Sequence, residues 1–536
     1  MSSRRALLFR LALAAALLAS TFSAGVGQAA DPPPVDARAG GLAGHLLGLA
    51  DMDRGLCSIL ECQDPLLPVA VARSTEMLVH VQCSDPAAIA RIRARLDKEG
   101  LYGNRVVAEV GTPSRLPFAD NSVDLVLCAS LDKAALASAS VEKVVRVLRP
   151  RGVGVLGVPA GGSLTAARIR RWGDTATATQ EIIEDQSGLW TRLVKKDLPL
   201  TDEWTHWQHL PDNNPVSTDA VIKAPYMTQF LALPYYSPMP SISVICNGIQ
   251  FRAAGHMAIH VREEPLVNTL YATSTHNGTL LWTRPLPEGY LVHRSLFVAQ
   301  PDTLYLLEPK RCVLLDPRTG AERGAIPLPP GVEDDAQWQW IALEDGVLYA
   351  LIGKDAVPAE IIRRKRPVGA WGWNELSAGY YTSQYPWGYG RTLIALEPKT
   401  ARELWRHEEK RPIDSRALCM KGGKVFIHGE GSYVAALDAK TGAVVWRNED
   451  PALLAAIAEG NDQGLGFKTT PYALCTEDML FFAGRGRKNV VGVRAGDGAH
   501  LWTVPGGYNA TNLLYSSGYL YAHIPCLLYT SPSPRD

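Results

Sequence analysis

The chain has 536 residues with 54 basic and 54 acidic side chains, so its formal charge is zero. That balance, with no long basic run, excludes the electrostatic footprint of a nucleic-acid-binding protein. Hydrophobic residues make up 46% of the chain, enough for the cores of two or more domains.

At the N-terminus, Arg4 and Arg5 precede the apolar run LALAAALLA, and small residues follow to Ala30. This is the pattern of a secretory signal peptide over residues 1–30, cleaved after Ala29 or Ala30. Arg10 interrupts the stretch and leaves it short of a bilayer span. The mature chain is therefore expected to be exported, to a periplasmic or other extracytoplasmic compartment, with no membrane span after cleavage. Residues 31–50 read as a linker. Of the nine cysteines only Cys57 and Cys62 lie close in sequence. The others are scattered through strand-like segments, which fits buried free thiols better than a disulfide framework.

Residues 51–198 read as one domain, in which apolar runs alternate with helical stretches from about Gly55 to Pro159, as βαβ units do. Within them, Leu116-Pro117-Phe118-Ala119-Asp120-Asn121-Ser122-Val123-Asp124-Leu125-Val126 is followed by Val147-Leu148-Arg149-Pro150-Arg151-Gly152. The two segments resemble the strand-4 signature and the "L-R-P-G-G" turn of class I S-adenosylmethionine (SAM)-dependent methyltransferases, which implies a Rossmann-like domain. That family ends its first strand in a glycine-rich loop, where the bare backbone approaches the cofactor. Here Glu61, Cys62, Gln63 and Asp64 stand in those places, followed by Pro65. Gln82, with Asp85 three residues on, stands where the family's ribose-binding acid would be. The expectation is a vestigial domain with no catalytic residue; Asp120 and Asp124 are then ordinary loop and strand-start residues.

From residue 199 to 525 a glycine-to-tryptophan hairpin recurs. Gly278 precedes Trp282, Gly442 precedes Trp446, and Gly498 precedes Trp502. Two decayed copies lie between: Gly320 with Gly324 in the tryptophan position, and Ala401 with Trp405. The turn positions are separated by 42, 81, 41 and 56 residues, one unit of about 41 with two insertions. A period of that length marks the four-stranded blades of a β-propeller. Each turn needs a residue of positive φ, so Ala401 is expected to carry about 1 kcal/mol of strain. The segment Ala436-Leu437-Asp438-Ala439-Lys440-Thr441-Gly442-Ala443-Val444-Val445-Trp446 matches the "A-L-D-x-x-T-G-x-x-x-W" signature of pyrroloquinoline-quinone (PQQ) repeats. The region thus resembles that family, whose dehydrogenases hold the quinone against adjacent cysteines with calcium alongside. No adjacent cysteines occur in this chain. The resemblance accordingly implies the non-catalytic branch, scaffolds like the propeller lipoprotein of outer-membrane assembly, in an incomplete propeller of about five to six blades.

Three places could carry function. An insertion from Asp355 to Gly390 holds Arg363-Arg364-Lys365-Arg366 and then Trp371, Trp373, Tyr380, Tyr381, Tyr385, Trp387 and Tyr389. These rings could stack on a carbohydrate or anchor a partner protein at the propeller face, or pack as a loop over the blades. His206, His209 and Asp212 lie close together before the first blade, in a Pro- and Asn-rich segment that fits a role in closing that blade better than a metal site. Asn461, Asp462 and Gln463 provide too few oxygen ligands for calcium. Finally, residues 526–536 resemble a translated sequencing-library adapter, so the natural chain is expected to continue beyond Pro525. The combined expectation is an exported, non-enzymatic binding or scaffold protein with no metal and no cofactor. The alternatives are a SAM-dependent methyltransferase fused to a propeller and, second, a quinoprotein oxidoreductase.

Overall fold

The computed structural model describes residues 37–523 except 132–135, 137–138, 223, 225–227, 240, 256–257, 259, 288–291, 293–296, 355–387, 459–469, 485 and 506–511. The chain divides into two compact units, the first holding residues up to Leu200 with 221–235 and 273–281, the second the remainder.

The first unit is built on seven strands: β1 (Leu56–Leu60), β2 (Leu78–Cys83), β3 (Val106–Val110), β4 (Val123–Cys128), β5 (Leu148–Pro159), β6 (Ala178–Asp185) and β7 (Gly188–Lys195). Their order is β3-β2-β1-β4-β5-β7-β6, parallel through β5 and antiparallel at β7 and β6. Side chains of a strand point alternately to its two faces, and here each face meets its own helices. Leu125 and Leu127 of β4 pack with Ile89, Ile92 and Leu96 from α3 (Pro86–Lys98) and with Ala70 from α2 (Leu66–Ser74). Val126 and Cys128 pack with Val144 and Val145 from α4 (Val141–Val147) and Ile169 from α5 (Ala166–Trp172).

Residues 37–50, expected to be a linker, belong instead to this domain. They form α1 (Ala37–Ala50), whose Ala43, Leu46 and Ala50, spaced by three and four, are buried in the core beside α2. Arg192 Nε donates to the Leu49 carbonyl at 2.8 Å and holds the end of the helix. Four glycines weaken its intrinsic preference, and burial of the stripe overrides them.

The second region carries the blades. Residues 242–285, 297–327, 336–414, 419–448 and 473–505 each fold as a four-stranded antiparallel meander, and Asn512–Ser516 pairs with Tyr519–His523 in a sixth sheet. The turn signature has a direct physical origin. Asp438 Oδ1 accepts from the Lys440 and Thr441 amides, and the Gly442 amide donates to the Asp438 carbonyl. Asp316 does the same for Arg318, Thr319 and Gly320. The last turn residue is left-handed in every copy: Gly278, Gly320, Gly442 and Gly498 have φ from +70° to +75°, and Ala401 has +57°.

The tryptophan then reaches the next blade. Trp282, Trp405 and Trp446 donate from Nε1 to the carbonyls of Pro317, Ala439 and Ala495, each at 2.9 Å. Their rings lie over the turn glycines of the following sheet, so a Cβ on Gly320, Gly442 or Gly498 would come within 2.7, 2.6 or 2.4 Å of an indole atom. The glycine is thus required twice, by its φ and by the ring above it. Beneath each indole sits an aromatic from the second strand: Phe251 under Trp282, Tyr349 under Trp405, Phe426 under Trp446 and Phe481 under Trp502, with centroids 5.9–6.1 Å apart.

Candidate functional site

In an open parallel sheet ligands bind beyond the carboxyl ends of the strands where the strand order reverses, here between β1 and β4. Glu61, directly after β1, is left-handed at φ +48°, the conformation that suits a glycine. Its Oε2 accepts from the Ser84 hydroxyl (2.8 Å) and amide (3.3 Å) at the end of β2, and its carbonyl accepts from Ser130 Oγ after β4 (2.5 Å). Cys62 is buried, its Sγ directed at the Asp64 carbonyl, and burial pushes its thiol far above the usual range. Gln63 Nε2 lies 3.2 Å from Cys83 Sγ. Gln82, inside β2 rather than after it, is 4% exposed and donates to the carbonyls of Thr112 and Arg115. Asp85 caps α3 by accepting from the Ala87 and Ala88 amides. Several polar groups of this crevice are thus tied to neighbouring protein groups, while Glu61 Oε1 and Gln82 Oε1 are buried without a hydrogen-bond partner among the described residues. The two signature segments are likewise structural: Asp124, expected to be an ordinary strand-start residue, accepts from the Leu56 amide (2.8 Å) and pairs with Arg149 of the second segment (2.5 Å), while Asp120 pairs with Arg146.

In the second unit the segment Trp204–Asn214 touches the first strand of every sheet. Trp204 bridges Ile245, the Thr205 carbonyl accepts from Ala299, and His206 Nε2 accepts from the Leu343 amide. The Pro211 and Asp212 carbonyls accept from Met420 and Cys475; Asn213 donates to the Leu418 and Ala473 carbonyls; Asn214 exchanges two bonds with Tyr515. The expected closure of the first blade understates the part this segment plays: it is the hub of six sheets. Burial holds the His206 imidazole at about 3, so it stays neutral as an acceptor. His209 instead faces Asp202 at 2.8 Å, and Asp212 faces Lys421 at 3.1 Å, so these side chains diverge rather than converge on one ion. A cavity of about 20 Å³ between His206, Asn213, Trp340 and Ser415 has room for about one water.

Beside the hub lies a buried ionic cluster that sequence reasoning missed apart from Tyr389. Asp414 is fully buried and chelates Arg416 through Nε (3.0 Å) and Nη2 (2.6 Å). The Tyr472 hydroxyl donates to Asp414 Oδ2 (3.0 Å) and so receives from His428 Nδ1 (2.8 Å). Arg487, 1% exposed, stacks 3.5 Å from the Tyr472 ring and pairs with Glu430 at 2.9 Å. Tyr389, the one insertion aromatic inside the described residues, accepts from Arg416 Nη2 at 2.9 Å. Trp371, Trp373, Tyr380, Tyr381, Tyr385 and Trp387 lie outside them, as do Asn461, Asp462, Gln463 and residues 526–536.

Burial would raise the Asp414 carboxyl, but the Arg416 guanidinium outweighs it and holds it at about 2. Burial pushes His428 down to about 4. Two cations face two anions, and neither Asp414 nor His428 titrates near neutrality, where a general acid or base must work. Asp414, Arg416, Glu430 and Arg487 lie in polar or mixed stretches, and the cluster's members come from three blades, so the sequence carried no signal for it. Among the described residues no helix is long and apolar enough to cross a membrane.

Two family models match the chain: one described as "Outer membrane protein assembly factor BamB" over residues 378–514, and one described as "Methyltransferase domain" over residues 69–156. No curated protein matches. Among solved structures, BamB from Moraxella catarrhalis is similar at 15% identity over 53% of this chain and 68% of that one, with a TM-score of 0.33. A putative S-adenosyl-L-methionine-dependent methyltransferase from Methanococcus maripaludis is similar at 15% identity over 30% and 85%, TM-score 0.27. Geranyl diphosphate C-methyltransferase from Streptomyces coelicolor A3(2) is similar at 11% identity over 30% and 80%, TM-score 0.26. The domain assignment rests on the sheets described above and on the two family models. The chain joins a methyltransferase-like domain to a BamB-like propeller of PQQ repeats.

Proposed function

We propose that this chain is an exported binding or scaffold protein: the propeller engages another polypeptide, and the methyltransferase-like domain neither binds SAM nor transfers methyl groups. The observation that carries this reading is Glu61. It keeps a left-handed backbone but fills with a carboxylate the space a glycine leaves for a cofactor, and ties it to Ser84. Gln82 is committed to two carbonyls and Asp85 to the cap of α3, so no acid is left there to meet ribose hydroxyls. These residues do not suit the cofactor. The hub and the ionic cluster read as architecture, since their polar groups serve strands and one another. The BamB description of the matching family model names an outer-membrane assembly factor, which agrees with the signal-like N-terminus and a protein partner.

The test is calorimetric titration of SAM into the full-length protein. No heat up to millimolar cofactor supports this reading. Binding at micromolar affinity, about −8 kcal/mol, overturns it and makes methyl transfer the leading activity.

A further inference from the structure

The junction between the second and third sheets lacks its ring. In the other blades a cross-strand row runs aromatic, small residue, tryptophan: Tyr349–Ala395–Trp405, Phe426–Ala436–Trp446 and Phe481–Gly492–Trp502. The second blade keeps the register, with the same bulge after the middle residue, but its row is Tyr305–Leu314–Gly324. Gly324 thus stands at the tryptophan position, and an added Cβ there would meet nothing within 4 Å. The turn residue that the missing indole would have covered is Ala401, the only one of the five that is not glycine. The turn without an indole above it is thus the turn that carries a side chain.

Leu314 takes up part of the lost volume, yet a groove of about 410 Å³ remains between the two sheets. Its walls are Leu328, Pro329, Pro330, Leu396 and Ala401. Its charged rim is internally balanced: Arg406 is paired with Glu403 at 2.8 Å and also donates to the Pro330 carbonyl. Sites for small ligands span roughly 300–1,000 Å³, so the groove is large enough for a side chain of aromatic size.

We infer that this groove is a binding site for an aromatic side chain, a tryptophan presented by a partner polypeptide. Three facts select that occupant. At the other junctions a flat ring covers the turn: Trp282, Trp405 and Trp446 lie over Gly320, Gly442 and Gly498, and Phe230 over Gly278. The carbonyl that receives each indole N–H belongs to the residue three before the turn, and Pro398 holds that place before Ala401. The balanced rim favours a neutral group over a charged one. Because Ala401 adds a methyl group, the guest ring rides farther out than the native indoles, towards the proline wall. The inference deepens the scaffold reading and relies on it only for the partner being a polypeptide; cofactor binding and occupancy of the groove are read by different probes.

The test uses full-length protein and the tripeptide N-acetyl-Gly-Trp-Gly-amide, with N-acetyl-Gly-Ala-Gly-amide and free indole as controls. A diazirine-labelled version of the tryptophan peptide is cross-linked and mapped by mass spectrometry. The expected result is saturable binding of the tryptophan peptide at least tenfold above the alanine control, with cross-links on residues 327–330 and 396–406. Gly324→Trp, which supplies the missing ring, should weaken binding at least tenfold. Cross-links that fall elsewhere, no difference between the two peptides, or binding of indole but not of the peptide would each overturn the inference, and the mapping decides even if the variant does not fold.

Discussion

Glu61 and Ala401 share one lesion and differ in everything around it. Each is a non-glycine residue held left-handed, at φ +48° and +57°, where the family pattern has glycine. At Ala401 the neighbour that demanded glycine is also gone, since Gly324 replaces the indole, and the sheet register survives intact. At Glu61 the neighbour that demands glycine in the resembled family is a cofactor, and in this chain the side chain turns to bind Ser84. A lost glycine is therefore accommodated within the fold at both sites, at Ala401 beside an absent ring and at Glu61 by a side chain tied to Ser84.

The comparison can be broken by probing its structural half, beginning with the most severe change. Asp414→Asn leaves Arg416 buried without its carboxylate and should cost about 3–5 kcal/mol in urea unfolding, because breaking a buried pair strands a charge. Trp446→Ala removes a buried ring and its bond to the Ala495 carbonyl and should cost about 3–5 kcal/mol. If either variant unfolds like the parent, the buried cluster or the inter-blade indoles are not what holds the propeller together.

Acid should act next. His206 and His428 have their pKa lowered by burial to about 3 and about 4, so below the ordinary 6.5 the unfolded chain takes up protons that the native one refuses. Stability should fall as pH drops from 6.5 to 4, by a few kcal/mol in total. Asp414 has its pKa depressed from 3.8 to about 2, so its contribution is present above 3.8 and is lost only as pH falls towards 2. A melting temperature flat between pH 6.5 and 4 would contradict the burial of the histidines. The mildest change is Ala401→Gly: relief of roughly 1 kcal/mol of left-handed strain is offset by the backbone entropy of glycine, so stability should move by less than about 1 kcal/mol.

How much of this was legible varied with the range of the interaction. The turn signature could be read because Asp438, Lys440, Thr441 and Gly442 are bonded within one hairpin and Trp446 follows the turn at a fixed spacing. The paired decay of Gly324 and Ala401 was visible as two departures, but their connection was not, since it crosses from one blade to the next. The hub read only as part of the first blade because its bonds span up to 301 residues, as between Asn214 and Tyr515. The helix over residues 37–50 was hidden by four glycines, while Ala43, Leu46 and Ala50 carry the stripe that buries it. In the methyltransferase-like domain the sequence showed which residues replaced the glycines, and the structure added where their side chains turn.

The most direct test of the claim that the indole dictates the glycine is a double-mutant cycle on Trp405 and Gly442, read by urea unfolding. Against the native Trp405, Gly442→Ala places a Cβ within 2.6 Å of the ring and should cost about 2–4 kcal/mol, from overpacking plus left-handed strain. In a Trp405→Ala background the same substitution should cost only about 1 kcal/mol, giving a coupling of at least about 1 kcal/mol. Additive costs would contradict the account, because the glycine would then be serving its backbone angle alone.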